Sequence, residues 1–265
     1  MDFSFILTSM GRLRQLQRSL PACATLAGAE CIVVDYACPE SSGEWAARAH
    51  PEATVVRVAG ERYFNASRAR NAGAAAARGD TLVFVDADVV CPVDFTHRLR
   101  GLLAPRAFVR VEPGVADLWG TVAVHRADFE RAGRYDEVMQ GWSVEDDELY
   151  ARLRLLGLEQ RTMPASWFQW ETHDDETRLR YHELKDARLA HAINVAYAQV
   201  KLDAVRLTGR VAPVEELRRL YAEIQRGAAA LAPGAPLEIT LDIPGREALG
   251  LQVETRLRYR LRGSP

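Results

Sequence analysis

Hydrophobic and polar positions change period repeatedly along the first part of the chain. "FSFILTS" (3–9) is an apolar run closing on polar residues, the pattern of a strand buried in a core. "RLRQLQRSLPACATLAG" (12–28) is amphipathic at helical spacing and ends on Gly28. "ECIVVDYA" (30–37), "TVVRVAG" (54–60) and "TLVFVDAD" (81–88) predict three more strands, and "NASRARNAGAAAARG" (65–79) predicts an alanine-rich helix closed by Gly79. Strand and helix in alternation imply an α/β domain with a Rossmann-like, mostly parallel sheet flanked by helices. Ligands in such sheets bind beyond the carboxyl ends of the strands, which directs attention to Thr8, Asp35, Asp86 and Asp88.

The pattern changes again downstream. In "GWSVEDDELYARLRLLGL" (141–158), Leu149, Leu153 and Leu156 recur at i, i+4 and i+7, so a helix buries that face. "PVEELRRLYAEIQRGAAAL" (213–231) predicts a helix with proline at its start, and "APGAP" (232–236) a break. "LEITLDI" and "LGLQVETRLRYRL" then predict two strands. The second sets Leu251, Val253, Thr255, Leu257, Tyr259 and Leu261 on one face and Gln252, Glu254, Arg256, Arg258, Arg260 and Arg262 on the other. The expected organisation is one domain over 1–212, with halves 1–90 and 91–212, and a small appendage of helix and two-strand hairpin over 213–265. The arginine-rich face is either a solvated outer surface or a contact to an acceptor or to a second copy of the chain.

Composition adds limits. The 265 residues are 48% hydrophobic with a formal net charge of −2, enough for a sizeable core and without the basic excess that would draw nucleic acid or anionic membrane. "FSFIL" is too short for a signal or membrane segment, which makes a cytoplasmic location the expectation. Cys23, Cys31, Cys38 and Cys91 form no CxxC pair and read as small buried hydrophobes, with neither disulfide nor zinc expected.

Two acidic segments carry the candidate chemistry. Asp86 and Asp88 sit one residue apart where a strand breaks into a loop, so both carboxylates can turn to one site and hold a divalent cation that grips a diphosphate. A polar strand end, with Asp88 capping the next turn, accounts for the same pair, as does a magnesium-dependent phosphohydrolase. Glu145, Asp146, Asp147 and Glu148 follow Trp142 closely. Ser143 with Asp146 reads as a capping box, and anions suit the first turn of a helix. Four adjacent carboxylates exceed what capping needs.

Taken together, a threonine ending the first strand, an aspartate ending the second, "FNASRARNAG", "GDTLVFVDAD" and "GWSVEDD" resemble the GT-A fold nucleotide-sugar glycosyltransferases. The first half is similar to family 2 and the acidic segment to the family 7 galactosyltransferase-like enzymes, over about residues 3 to 195. The resemblance implies a metal-dependent, inverting transfer of a hexose or N-acetylhexosamine from a UDP-sugar to a glycan or other hydroxyl acceptor. It implies Thr8, Arg12, Asp35, Phe64, Arg68 and Asn71 near the donor nucleotide, Asp86 toward the ribose or a water of the metal shell, and Asp88 with His173 as ligands of manganese or magnesium. Asp146 would be the base, Glu145 and Asp147 would hold sugar hydroxyls, and Trp142 would be a sugar platform. His191, on the following helix, is expected to pack in the core. Two departures are visible: Tyr36 stands where many family 2 members carry a second aspartate, and Val144 where the galactosyltransferases often have glycine. Bacterial surface-polysaccharide synthesis is the setting the family suggests. The competing classes are a non-catalytic sugar- or nucleotide-binding relative and the phosphohydrolase, which leaves the second acidic segment unexplained.

Overall fold

The computed structural model describes residues 2–230, 236–248 and 251–261. Within the predicted α/β portion, β1 (Phe3–Ser9), α1 (Leu13–Ala24), β2 (Ala29–Tyr36), α2 (Ser42–Ala49), β3 (Thr54–Val58), α3 (Ala66–Ala76) and β4 (Thr81–Asp86) follow in order. Asn65 starts α3 by accepting a hydrogen bond from the Arg68 amide, and the helix stops short of Gly79 because Ala77 is already extended. After β4 come β5 (Val89–Val90), α4 (Phe95–Leu102), β6 (Ala107–Val111), β7 (Val122–His125), α5 (Arg126–Arg131), α6 (Glu145–Leu155), β8 (Glu159–Met163), β9 (Gln169–Trp170) and α7 (Asp175–Leu179).

Seven strands form one sheet in the order β3-β2-β1-β4-β7-β6-β8, in which only β7 runs antiparallel to both its neighbours. Alternate residues of the parallel strands feed two cores: Phe5, Leu7, Cys31 and Val33 point to one, Ile6, Ile32, Val34 and Phe84 to the other. This two-sided burial is why the strands read as continuous apolar runs. Cys23, Cys31 and Cys91 are buried in the first core, whereas Cys38 is half-buried and its sulfur accepts from the Gly11 amide. Register sets Thr8 beside Asp86 and Ser9 beside Asp35, so the polar strand ends collect at one edge of the sheet.

The chain divides into two compact units, one comprising residues up to Glu137 with Glu145–Lys185, the other Val138–Val144 with Asp186 onward. The second unit contains α8 (Ala187–Thr208), α9 (Val214–Ala230) and an antiparallel pair, β10 (Leu237–Ala248) and β11 (Leu251–Leu261). The register of the pair shifts between Ile243 and Arg246, across Pro244, whose ring nitrogen has no proton to give to the ladder. Most of the "APGAP" break and Arg262 lie outside the described residues. Tyr197 and Tyr221 meet edge to face across α8 and α9, 5.2 Å apart. The Asn194 amide donates to the carbonyls of Gln140, Trp142 and Ser143, which ties the 138–144 segment to α8. Among the described residues no helix is long and apolar enough to cross a membrane.

Two local expectations are corrected here. Ser143 does not act as the box residue of α6: its φ is 89°, and its hydroxyl lies 2.8 Å from His191 Nδ1. His191, for the same reason, is exposed and not part of the core. Val144 also has a positive φ, 80°, a conformation that glycine adopts freely and a β-branched residue does not.

Candidate active site

Arg70 is the hub of the site. It sits on the buried face of α3, and its side chain is 5% exposed. One terminal nitrogen donates to Asp146 at 3.0 Å and to Glu145 at 3.1 Å; the other donates to Asp86 at 2.9 Å. The guanidinium also lies over the Tyr135 ring, 5.1 Å from its centroid. One cation therefore serves three carboxylates, two at the start of α6 and one at the end of β4. Gly120 closes this cluster from one side, because a Cβ there would come within 2.5 Å of the Arg70 guanidinium and 2.7 Å of Asp86.

Asp146 is 7% exposed and receives a second hydrogen bond, from the Tyr135 hydroxyl at 3.1 Å. Burial pushes its carboxyl up to about 8; the charges of Glu145 and Asp86 push the same way, while Arg70 and the Tyr135 hydroxyl pull it down. Asp147 accepts from the Trp119 indole at 2.8 Å, and the Tyr150 hydroxyl donates to the Trp119 carbonyl. Behind Trp119, the buried Arg110 is stacked between that indole, at 4.2 Å, and the Tyr150 ring, at 4.9 Å.

Asp88 and His173 form a second centre. His173 Nε2 is 2.7 Å from Asp88 Oδ2, while Asp88 Oδ1 is buried without a hydrogen-bond partner. Burial raises the Asp88 carboxyl above its usual range, the neighbouring His173 opposing this and Asp86 adding to it. A buried carboxylate oxygen with a free lone pair beside an imidazole is a donor set that suits manganese or magnesium. Among the described residues no three His, Cys, Asp or Glu side chains close round a common point, so the protein side offers a pair and not a cage.

Residues 4–107 match the model of the glycosyl transferase family 2, and residues 115–175 match that of the N-terminal domain of galactosyltransferase. S. aureus TarS 1–349, solved in complex with UDP-GlcNAc, is similar over 86% of this chain and 72% of its own, with 13% identity and a TM-score of 0.62. The mannosyltransferase PcManGT from Pyrobaculum calidifontis, solved with GDP-Man and Mn2+, is similar over 87% of this chain and 76% of its own, with 18% identity and a TM-score of 0.55. The chain has the GT-A fold and carries matches to both glycosyltransferase models. At these identities the likeness to the solved structures is one of fold, and no curated protein matches the sequence.

The chain brings some of the expected site residues together, and the others have different partners. Asp86, Glu145 and Asp146 converge on Arg70, Asp147 lies beside them on Trp119, and Asp88 meets His173. Thr8 is buried beside Asp86 in the sheet. Asp35 accepts from the amides of Cys38 and Gly43, a turn-forming role that leaves no room for a Cβ at Gly43. Phe64 packs edge-on against Tyr36 and His182, at 5.5 and 6.0 Å. His182 is buried, which pushes its imidazole down to about 4, so this ring is neutral at physiological pH. Tyr36 is fully buried, and burial followed by the Glu61 charge pushes its phenol up to about 12.

Three expected residues are committed to structure. Asn71 gives its amide to the Tyr135 carbonyl and Glu137 and accepts from the Tyr135 amide, so it fixes the loop that carries Tyr135. Arg68 is half-exposed and pairs with Glu61 at 2.6 Å. Arg12 donates to the Thr177 carbonyl at 3.3 Å. Trp142 belongs to the second unit, where its carbonyl accepts from Asn194. The residues that pattern reading missed are Arg70, Tyr135, Trp119 and Gly120. Arg70 lies within "FNASRARNAG", and the burial of Ala69 and Ala74 on the same helix places it inward.

Proposed function

We propose that the chain transfers a hexose or N-acetylhexosamine from a UDP-sugar to a hydroxyl acceptor, with inversion and with help from a divalent cation. The observation that carries this reading is the placing of Asp146, a buried carboxylate gripped by Arg70 and Tyr135 and linked through Arg70 to Asp86. In the reaction the acceptor oxygen bonds to the anomeric carbon as the bond from that carbon to the diphosphate breaks. The acceptor proton passes to Asp146 Oδ2, since Oδ1 is the oxygen that Arg70 and Tyr135 engage. A base titrating near neutrality suits this task, since it must take a proton without holding on to water-exposed charge. Glu145 and Asp147 face the same space from the first turn of α6, anchored by Arg70 and Trp119, and would accept from sugar hydroxyls.

Asp88 and His173 would hold the cation, whose chemistry is to neutralise charge on the departing diphosphate. The structures of similar fold include one with UDP-GlcNAc and one with GDP-Man and Mn2+, which supports a nucleotide-sugar donor. Thr8, Asp35, Phe64, Arg12 and Arg68 would contact the nucleotide half of it, and Asp86 the ribose. The acceptor is proposed to be a glycan.

Calorimetry of UDP binding with and without manganese, on wild type and Asp88→Ala, tests the donor half. Binding that requires both the metal and Asp88 supports it; equal affinity in the variant overturns the metal assignment. Asp146→Asn tests the chemistry. It should leave UDP binding nearly intact and lower transfer by about 10²- to 10⁴-fold, roughly 3 to 5 kcal/mol of barrier. Full transfer by this variant removes the base assignment.

A further inference from the structure

Arg70 spans the two halves of the site, and its bonding is oversubscribed. Its two terminal nitrogens serve Asp86, Glu145 and Asp146, so whatever one carboxylate withdraws becomes available to the others. The guanidinium is buried and cannot turn to water for compensation, and its planar fork is fixed over the Tyr135 ring. Asp86 differs from the other two: its side chain is 33% exposed, against 16% for Glu145 and 10% for Asp146. A ligand can therefore reach Asp86 while Asp146 stays enclosed.

Resting on the transferase reading above, we infer that Arg70 is a positioning residue that relays occupancy of the Asp86 side of the site to Asp146, so that the base ionises when the donor side is filled. An Asp86 carboxylate taken up by a ribose hydroxyl or by nearby positive charge competes less for Arg70. The guanidinium then neutralises Asp146 and Glu145 more fully, and the proton on Asp146 leaves to solvent. The other groups facing Asp146 are Glu145 on α6, Tyr135 from the loop before it, and Tyr150 one turn on. Of these, Tyr135 and Tyr150 are held protonated by burial, so neither supplies an alternative route for the charge. The consequence is functional. With the donor absent, the buried base is protonated at neutral pH and the empty site is not strained by three facing negative charges.

Carboxyl ¹³C NMR titration of the ligand-free protein tests the relay, with the Asp146 resonance assigned by its loss in Asp146→Asn. The wild-type midpoint is expected near 8. Asp86→Asn should lower it by on the order of one pH unit, and Arg70→Gln should raise it by a similar amount. In the double variant the Asp86→Asn shift should shrink, because the relay is gone. If Arg70→Gln does not fold, as judged by near-ultraviolet circular dichroism, Arg70→Lys replaces it, since lysine keeps the charge but cannot bridge two carboxylates as a fork. An unmoved midpoint in Asp86→Asn, or an equal shift with and without Arg70, overturns the inference. Calorimetry of UDP with manganese in buffers of different ionisation enthalpy reads the same coupling in the bound state. Net proton release near pH 7.5 in wild type that is absent in Asp146→Asn supports it, and binding without release overturns it. If UDP does not bind, the proposed donor is wrong, while the ligand-free titration still decides the relay.

Discussion

Asp146 shows how a motif residue acquires its chemistry from neighbours distant in sequence. An aspartate beside an arginine would ordinarily stay ionised, but here one buried guanidinium faces three carboxylates, and the most enclosed of them carries the proton. The direction of two pH effects follows. With Asp146 as the proposed base, transfer would need its ionised form and kcat/KM should rise with pH through about 8; a profile already flat above pH 6 would refute this assignment. Stability runs the other way. The folded state keeps a proton on Asp146 that the unfolded chain releases near 3.8, so this contribution is complete below about pH 4 and is lost as pH rises to about 8. Thermal melts from pH 5 to 9 should therefore fall less steeply for Asp146→Asn than for wild type.

At the scale of the element, α6 must hold its first turn still. Leu149 and Leu153 are fully buried, as their spacing implies, and Leu156 lies just past the helix end and is half-buried. Between them Glu148 and Arg152 form a buried ion pair at 2.6 Å, and Arg152 also donates to the Ala132 carbonyl at the end of α5. The fourth acid of the run thus belongs to the core and has no part in the site, which answers why four carboxylates occur together. Leu149→Ala should cost about 2 to 5 kcal/mol through the cavity it leaves. Arg152→Met should cost about 3 to 5 kcal/mol, because it removes the cation of a buried ion pair and leaves its carboxylate in place. Urea denaturation measures both. A loss below about 0.5 kcal/mol for Arg152→Met would show that Glu148 finds other partners or takes up a proton.

At the scale of the whole molecule, the proposed donor residues Thr8, Asp35, Asp86, Asp88 and His173 all belong to the first unit, whereas β10 and β11 belong to the second. A chain ended after Ala230 should therefore keep its manganese-dependent UDP affinity. It should lose stability, since Ile239 is buried and the Tyr259 hydroxyl reaches Asp203 on α8 at 3.3 Å. Loss of UDP binding by a truncated chain that still melts cooperatively would assign the hairpin to the donor site. The arginine-rich face of β11 has Arg256, Arg258 and Arg260 exposed, and Arg260 pairs with Glu238 on β10.

The strands and the acid motifs were legible because they are local signals. A parallel strand buried on both faces must be apolar throughout, so "FSFILTS" marks β1 to the residue, and a strand-end D-x-D advertises itself by being charged where the run breaks. The apolar segment "WFQW" forms a helical turn and the two-residue β9, with Trp167 and Phe168 packed against Phe95. Nothing local marks β7 as the antiparallel insertion between β4 and β6, since pairing partners are chosen by closure of the sheet. Arg70 illustrates the limit most clearly. Its residue type and helix were readable, but its partners lie 16, 75 and 76 positions away, and only the packing of α3 and α6 on one face of the sheet puts them within 3.1 Å. Sequence alone determined which groups of this protein can ionise, bind metal or form strands; the tertiary structure decided which of those groups share one buried charge, because the energy of a charge depends on what surrounds it.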